Sequence, residues 1–457
     1  MATPKTFIND LTEGSVARKL LYFAFPFMLS NLLQTVYNLV DMSVVGHFMG
    51  SAGLSAVSTG GRLVDLLTFV CTGFCTGGQI LLSQQVGAKK HEEMQKTIGT
   101  LFSFTMLSAV VLGVLSIALH NNLLRLLNTP ESAFDEAAKY MVICNSGCIF
   151  IFGYNALCSI LRGMGDSKRP LLFVAIASVI NLILDLIFVA GLGLGAGGAA
   201  IATVISQAIS TIWVVSFLCG EKTHLHLRKK YMRLEPKVSV PCVTLGLAAF
   251  IMQASESIVT VCFNSSLLRY GGDIAVGAMT ILTSVMQFAM LPLQGIAQGA
   301  QPISSYNYGA KNTNRVKKTF RLLLMTCLSY SALLWAAVQL IPRVFVSIFT
   351  ADASLINFTA PMLRIYLGGL FLFGIQIACQ MTFTSLGKAV NSIVVAVVRK
   401  FVLLLPLICI MPHVVSNPTT GVYMAEPIAD IIAVLFTSVL FSFQFKKALA
   451  EIQNENN

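Results

Sequence analysis

At 457 residues the chain is 55% hydrophobic and only 11% charged, whereas soluble domains carry about 25% charged residues, so an ordinary water-soluble fold is excluded. The formal net charge of +11 fits the Lys and Arg excess of cytoplasmic loops in a membrane chain, and no nucleic-acid partner is expected. No Walker loop, catalytic triad or zinc-ligand spacing occurs, so neither an enzyme nor an ATP-driven pump is expected, and no cofactor.

The N-terminal stretch MATPKTFINDLTEGSVARK is polar and lacks a cleavage-site pattern, so the first span is expected to be retained. From Leu20 to Gly50 the only acidic residue is Asp41, and no Lys or Arg interrupts the run. A segment this apolar is long enough to cross a hydrocarbon core of about 30 Å. A lone carboxylate inside it is costly and usually marks an ion or substrate path. Gln34, Tyr37, Asn38 and Asp41 follow one another at i, i+3, i+4 and i+7, which places them on one helix face. Pro26 removes a backbone hydrogen bond in the same span and predicts a hinge.

Twelve apolar segments follow in order: roughly 18–46, 52–82, 97–119, 134–161, 170–191, 198–219, 240–268, 274–303, 319–341, 359–385, 392–413 and 421–444. In the second, Arg62 and Asp65 are three apart and either neutralise each other or free Arg62 to reach Asp41. Cys71 and Cys75 read as small core residues, not a redox pair. In the fifth, Asn181 precedes Asp185 by one turn, so amide and carboxylate share a face. Asp41 and Asp185 are expected at similar membrane depth. Two carboxylates in a low-dielectric cavity repel, and a shared proton or a bound Na+ relieves that repulsion.

The basic stretch GEKTHLHLRKKYMRLEPK (220–237) reads as a linker, dividing the chain into lobes 1–219 and 240–457 about a linker at 220–239. A shift of 222 aligns GFCTGGQILLSQQVGAK (73–89) with GIAQGAQPISSYNYGAK (295–311) at seven identical positions in seventeen. Each half then holds six spans, predicting an all-α integral membrane protein of two six-helix bundles related by pseudo-two-fold symmetry. Parallel repeats of this kind are a common transporter plan. The twin GAK loops read as tight turns made through Gly, with Lys89 and Lys311 at the interface. Glu256 in the seventh span reads as the second half's only mid-span acid and takes the repeat position of Gln34. It would contact a cationic substrate, carry a proton, or serve as a protonated structural residue.

With the N-terminus inside, 25 basic residues fall on the cytoplasmic side and 5 outside, with Arg62 in a span. Both termini are therefore expected in the cytoplasm. In that count Arg399 and Lys400 are assigned to the cytoplasmic end of the eleventh span, where long basic side chains snorkel.

The first span with Pro26 and Asp41, the twice-used GAK loop, LRGMGDSKRP (161–170), NLILD (181–185) and GGAAIAT (197–203) together resemble the multidrug and toxic compound extrusion family, MATE. The similarity covers nearly the whole chain and is closest to the bacterial DinF-like branch. It implies a twelve-span, two-lobe antiporter exporting organic cations and zwitterions in exchange for Na+ or H+; the chain is expected in the cell inner membrane, as a monomer. It also adds Tyr37 and Thr203 around the carboxylate pair, so a Na+ site would comprise Asp41, Asn181, Asp185 and Thr203. In a related branch an acid at the place of Glu256 joins another in the tenth span, which here has none. The runner-up is a lipid-linked oligosaccharide flippase of the same superfamily, which would favour a cationic cavity; a passive channel or sensor is the third reading.

Overall fold

The structure is a computed structural model that describes residues 10–127, 129–219 and 229–454. Residues 220–228 of the basic linker lie outside the described residues. The spans are named here in chain order. The first six are α1 (Val16–Gly50), α2 (Gly53–Gly87), α3 (His91–Leu126), α4 (Glu131–Ser146 and Cys148–Gly163), α5 (Lys168–Gly191) and α6 (Gly195–Leu218). One 74-residue element, Pro236–Gly309, contains α7 and α8, parted at Gly272. The rest are α9 (Thr313–Leu340), α10 (Ala353–Tyr366 and Leu370–Ser385), α11 (Ala389–Val414) and α12 (Pro418–Glu451). The polypeptide is therefore an all-α membrane protein of twelve spans, and among the described residues no strand occurs.

The repeat seen in the sequence is carried into backbone geometry residue by residue. Gly50 (φ 68°, ψ −159°) breaks α1 from α2, and Gly272 (φ 67°, ψ −165°) breaks α7 from α8, 222 positions later. That combination of angles is open essentially to glycine alone, which fixes where each long apolar run must fold back. α4 and α10 are bent by 51° and 49° at their internal breaks. The Ser83 hydroxyl donates to the Gly163 carbonyl at 3.1 Å, and Ser305 donates to that of Ser385 at 2.8 Å. Both tie the end of a repeat's second helix to the end of its fourth.

In the GAK turns the left-handed residue is the lysine rather than the glycine: Lys89 and Lys311 both have φ 57°. Each caps a helix in a Schellman motif. Lys90 N–H donates to Gln85 and Lys89 N–H to Val86, as Asn312 does to Asn307 and Lys311 to Tyr308. The Cys71 and Cys75 sulfurs lie 3.8 Å apart as buried free thiols.

The chain forms two compact units, one of 1–13 with 29–250 and one of 14–28 with 251–457. Each repeat's first helix thus contributes its opening turns to the other unit, and the change-overs at Met28/Leu29 and Phe250/Ile251 are again 222 apart. Within the second unit, α1 reaches α8 through glycine. A Cβ on Gly299 would stand 2.5 Å from the backbone N of Ala24 and 2.6 Å from its Cα. Gly299→Ala is therefore expected to cost about 1–3 kcal/mol through forced separation of two backbones. The check is thermal unfolding in detergent beside Gly61→Ala, whose added Cβ meets nothing within 4 Å. An unchanged melting temperature for Gly299→Ala would show that the two helices are not held at this distance.

Candidate functional site

Three helices of the first unit bring a polar cluster into an apolar interior. α1 supplies Tyr37 and Asp41, α5 supplies Asn181 and Asp185, and α6 supplies Thr203. Asp41 is 8% exposed, and Asn181 and Asp185 are each 1% exposed. The Thr203 hydroxyl is shared with the Tyr37 phenol at 3.3 Å and accepts from the Asn181 amide at 3.4 Å. The two carboxyls come within hydrogen-bonding reach of each other. Yet Asp41 Oδ1, both Asp185 oxygens and Asn181 Oδ1 are buried without any partner. Facing acceptors with no donor between them are unstable in a dry interior unless a proton or cation stands among them.

The local backbone explains why Asp185 points there. It is the last α-helical residue before a π-helical stretch, Leu186–Gly191, and such widened turns shift side-chain register at functional sites. The oxygens available, from two carboxylates, one amide and one hydroxyl, form the all-oxygen donor set that a hard cation takes. Asp41, Asn181, Asp185 and Thr203 thus fit a small monovalent cation, and the carboxylate pair alone fits a shared proton.

Other expected members stand apart. Gln34 and Asn38 are exposed on α1, and no hydrogen bond among the described residues joins Gln34 to the cluster. Pro26 is buried within an unbroken helical stretch. Arg62 and Asp65 are both exposed, and Arg62 makes no ion pair with either Asp65 or Asp41. Three residues apart on a helix suffices for contact only when both side chains turn toward each other.

The second unit overturns two expectations. Arg399 and Lys400 do not snorkel at a helix end; they lie inside α11 on a π-helical stretch, Val398–Leu404, with Lys400 5% exposed. Removing them leaves 23 basic residues in the cytoplasmic count instead of 25. Nor is Glu256 the second half's only mid-span acid, since Glu426 and Asp430 are buried in α12. Arg399 holds both: its Nε donates to Asp430 at 2.7 Å and its Nη2 to Glu426 at 2.8 Å. Its guanidinium also lies 4.9 Å from the Phe373 ring centroid of α10. Lys400 pairs with Glu256 of α7. The signal was present in the sequence: an acid pair one turn apart in GVYMAEPIAD and a basic pair inside VVAVVRKFVLLL, each surrounded by apolar residues.

Both units thus place polar side chains on the first, fifth and sixth helices of the repeat, with a π turn in the fifth, but at different positions, and the first unit's sixth helix offers only the Thr203 hydroxyl where the second unit's carries Glu426 and Asp430. Asp41, Asp185 and Thr203 align with Phe263, Leu407 and Ala425, whereas Glu256, Arg399 and Glu426 align with Gln34, Ala177 and Val204. The first cluster holds two acids and no base, the second three acids and two bases.

A two-fold repeat of six spans with carboxylates buried inside it is the plan of a membrane transporter. The MatE family model matches residues 26–187 and again 248–410, and the chain belongs to that family. The probable multidrug resistance protein YoeA of Bacillus subtilis is 28% identical over 443 residues, covering 95% of this chain and 96% of that one. The multidrug export protein MepA of Staphylococcus saprophyticus is 22% identical over 93% of each chain. Among solved structures, an outward-facing multidrug resistance MATE transporter superposes with a TM-score of 0.89, covering 98% of this chain and 99% of that one at 21% identity. A MATE structure in a bent conformation gives 0.91 at 20% identity over 97% and 98%.

Proposed function

We propose that this MATE transporter is a secondary active exporter of organic cations and zwitterions, driven by Na+ or H+ through the Asp41–Asp185 pair. The observation that carries the reading is the set of four buried oxygens without partners at Asp41, Asp185 and Asn181. Such a site is satisfied by an ion or proton entering from outside and is left strained when that ion departs, which supplies the differential affinity that coupling requires. The named multidrug relatives support a small-molecule drug cargo.

Pro26 serves as the hinge in this account. It lies two residues before the change-over at Met28/Leu29, while the repeat-equivalent position on α7 is Ala248. Of the two shared helices, only α1 carries a proline at its change-over. The chain works as a monomer in the cytoplasmic membrane, with both termini inside, as the 23 inner basic residues direct. The flippase alternative is not favoured, because the buried Arg399 is already held by two carboxylates and the mid-span acids Asp41, Asp185, Glu256, Glu426 and Asp430 outnumber the mid-span bases Arg62, Arg399 and Lys400.

The test is efflux of a fluorescent monovalent cation from proteoliposomes with Na+ or H+ gradients imposed one at a time. Accumulation against the cation's own gradient is expected with one of the two. Flux that ignores both gradients would indicate a passive channel.

A further inference from the structure

We propose that Lys400 is a resident stand-in for the transported cation, holding the Glu256 carboxylate until a cationic substrate displaces it. The inference rests on the efflux reading above and adds the place where the cargo's charge is received. Five charged side chains form this cluster, and their exposures differ sharply. The Glu256 side chain is 56% exposed while that of its partner Lys400 is 7% exposed. Arg399, Glu426 and Asp430 side chains are 13%, 9% and 4% exposed. Glu256 is thus the one member that meets the surroundings. A carboxylate at that depth does not face lipid hydrocarbon, so its exposed side opens on an aqueous path.

The partners differ equally in how firmly they are held. Arg399 is fixed by two short charge-assisted bonds and by the Phe373 ring, a planar fork committed to both acids of α12. Lys400 has a single carboxylate, a flexible four-carbon stem and a point charge, which suits it to be exchanged. Lys400 of α11 pairs with Glu256 directly, and Arg399 of α11, Glu426 of α12 and the buried Tyr366 phenol of α10 lie within its electrostatic reach. Counted with every acid and base ionised, three acids face two bases, so the cluster is one positive charge short. A monovalent cation at Glu256 completes it, and the released ammonium turns toward Glu426, already within its electrostatic reach.

The experiment is equilibrium binding of tetraphenylphosphonium to the purified full chain, comparing wild type, Lys400→Gln and Glu256→Gln/Lys400→Gln. Removing the competing ammonium should tighten binding by about fivefold, the scale of one partly exposed ion pair. The double variant, which has lost the receiving carboxylate, should lose that gain and bind no better than wild type. Because Glu256 keeps access to water, Lys400→Gln leaves no buried charge unpaired, and its fold is checked by its thermal transition. Wild-type binding that Lys400→Gln leaves unchanged or weakens overturns the stand-in role alone. A gain that persists in the double variant overturns Glu256 as the receiving group. Failure of wild type to bind this cation, while it binds an uncharged drug, overturns the cationic-cargo reading and the inference with it.

Discussion

Asp41→Asn and Asp185→Asn should each abolish ion-driven efflux, and the double variant should be hardly worse than either single one. Each substitution keeps the side-chain volume and removes the charge that an ion or proton must neutralise. The two carboxyls share one buried space with Asn181 and Thr203, so they act as one unit, and groups acting as a unit are non-additive. Folding should survive, because the amides remove acceptors that have no partner in the protein and supply donors where only acceptors stood. Gradient-driven cation flux for the three variants at matched expression measures this. Independent, multiplying losses would mean that the two aspartates serve separate steps.

Arg399→Met should be the most destabilising change of a single charged residue. It strips the shared cation from Glu426 and Asp430, both buried, and breaking a buried pair by removing one partner costs about 3–5 kcal/mol. Replacing the whole constellation, as Arg399→Met/Glu426→Gln/Asp430→Asn, should restore much of the loss, since no uncompensated charge then remains in the interior. Thermal unfolding in detergent distinguishes the outcomes. A single variant as stable as wild type would show that the two acids carry no charge needing compensation, and a triple variant worse than the single would show that packing, not charge, sets the cost.

What the sequence reveals and conceals in this chain follows from the kind of signal each feature leaves. Asp41, Asn181 and Asp185 stand out because a carboxylate in a long apolar run is rare and the spacing along one face is set by helix geometry. The repeat stands out because Gly50, Gly272, Ser83 and Ser305 occupy positions where backbone angles or tight hydrogen bonds leave few alternatives. The Arg399 cluster is harder to see for a physical reason. Basic residues near a span boundary look the same whether they reach for water or fold inward, and the difference is decided by Glu426 and Asp430 on a helix some thirty residues away. The π turns at Leu186–Gly191 and Val398–Leu404 leave no compositional trace, although they aim the charged residues. In the GAK turns, glycine is the natural candidate for a left-handed residue, yet lysine adopts it in both halves. Gly87 and Gly309 remain helical, each as the last residue of its span.

The central claim, that the Asp41–Asp185 pair couples ion movement to drug movement, is tested most directly by comparing two modes of transport in one protein. Proteoliposomes containing wild type or Asp185→Asn are assayed for uphill accumulation of a labelled cation under an ion gradient, and for counterflow of the same cation with no ion gradient. Wild type should do both. Asp185→Asn should retain counterflow, which needs only cargo binding and alternating access, and lose uphill accumulation. An Asp185→Asn protein that concentrates the cation as well as wild type does would contradict the account and move the coupling site away from this pair.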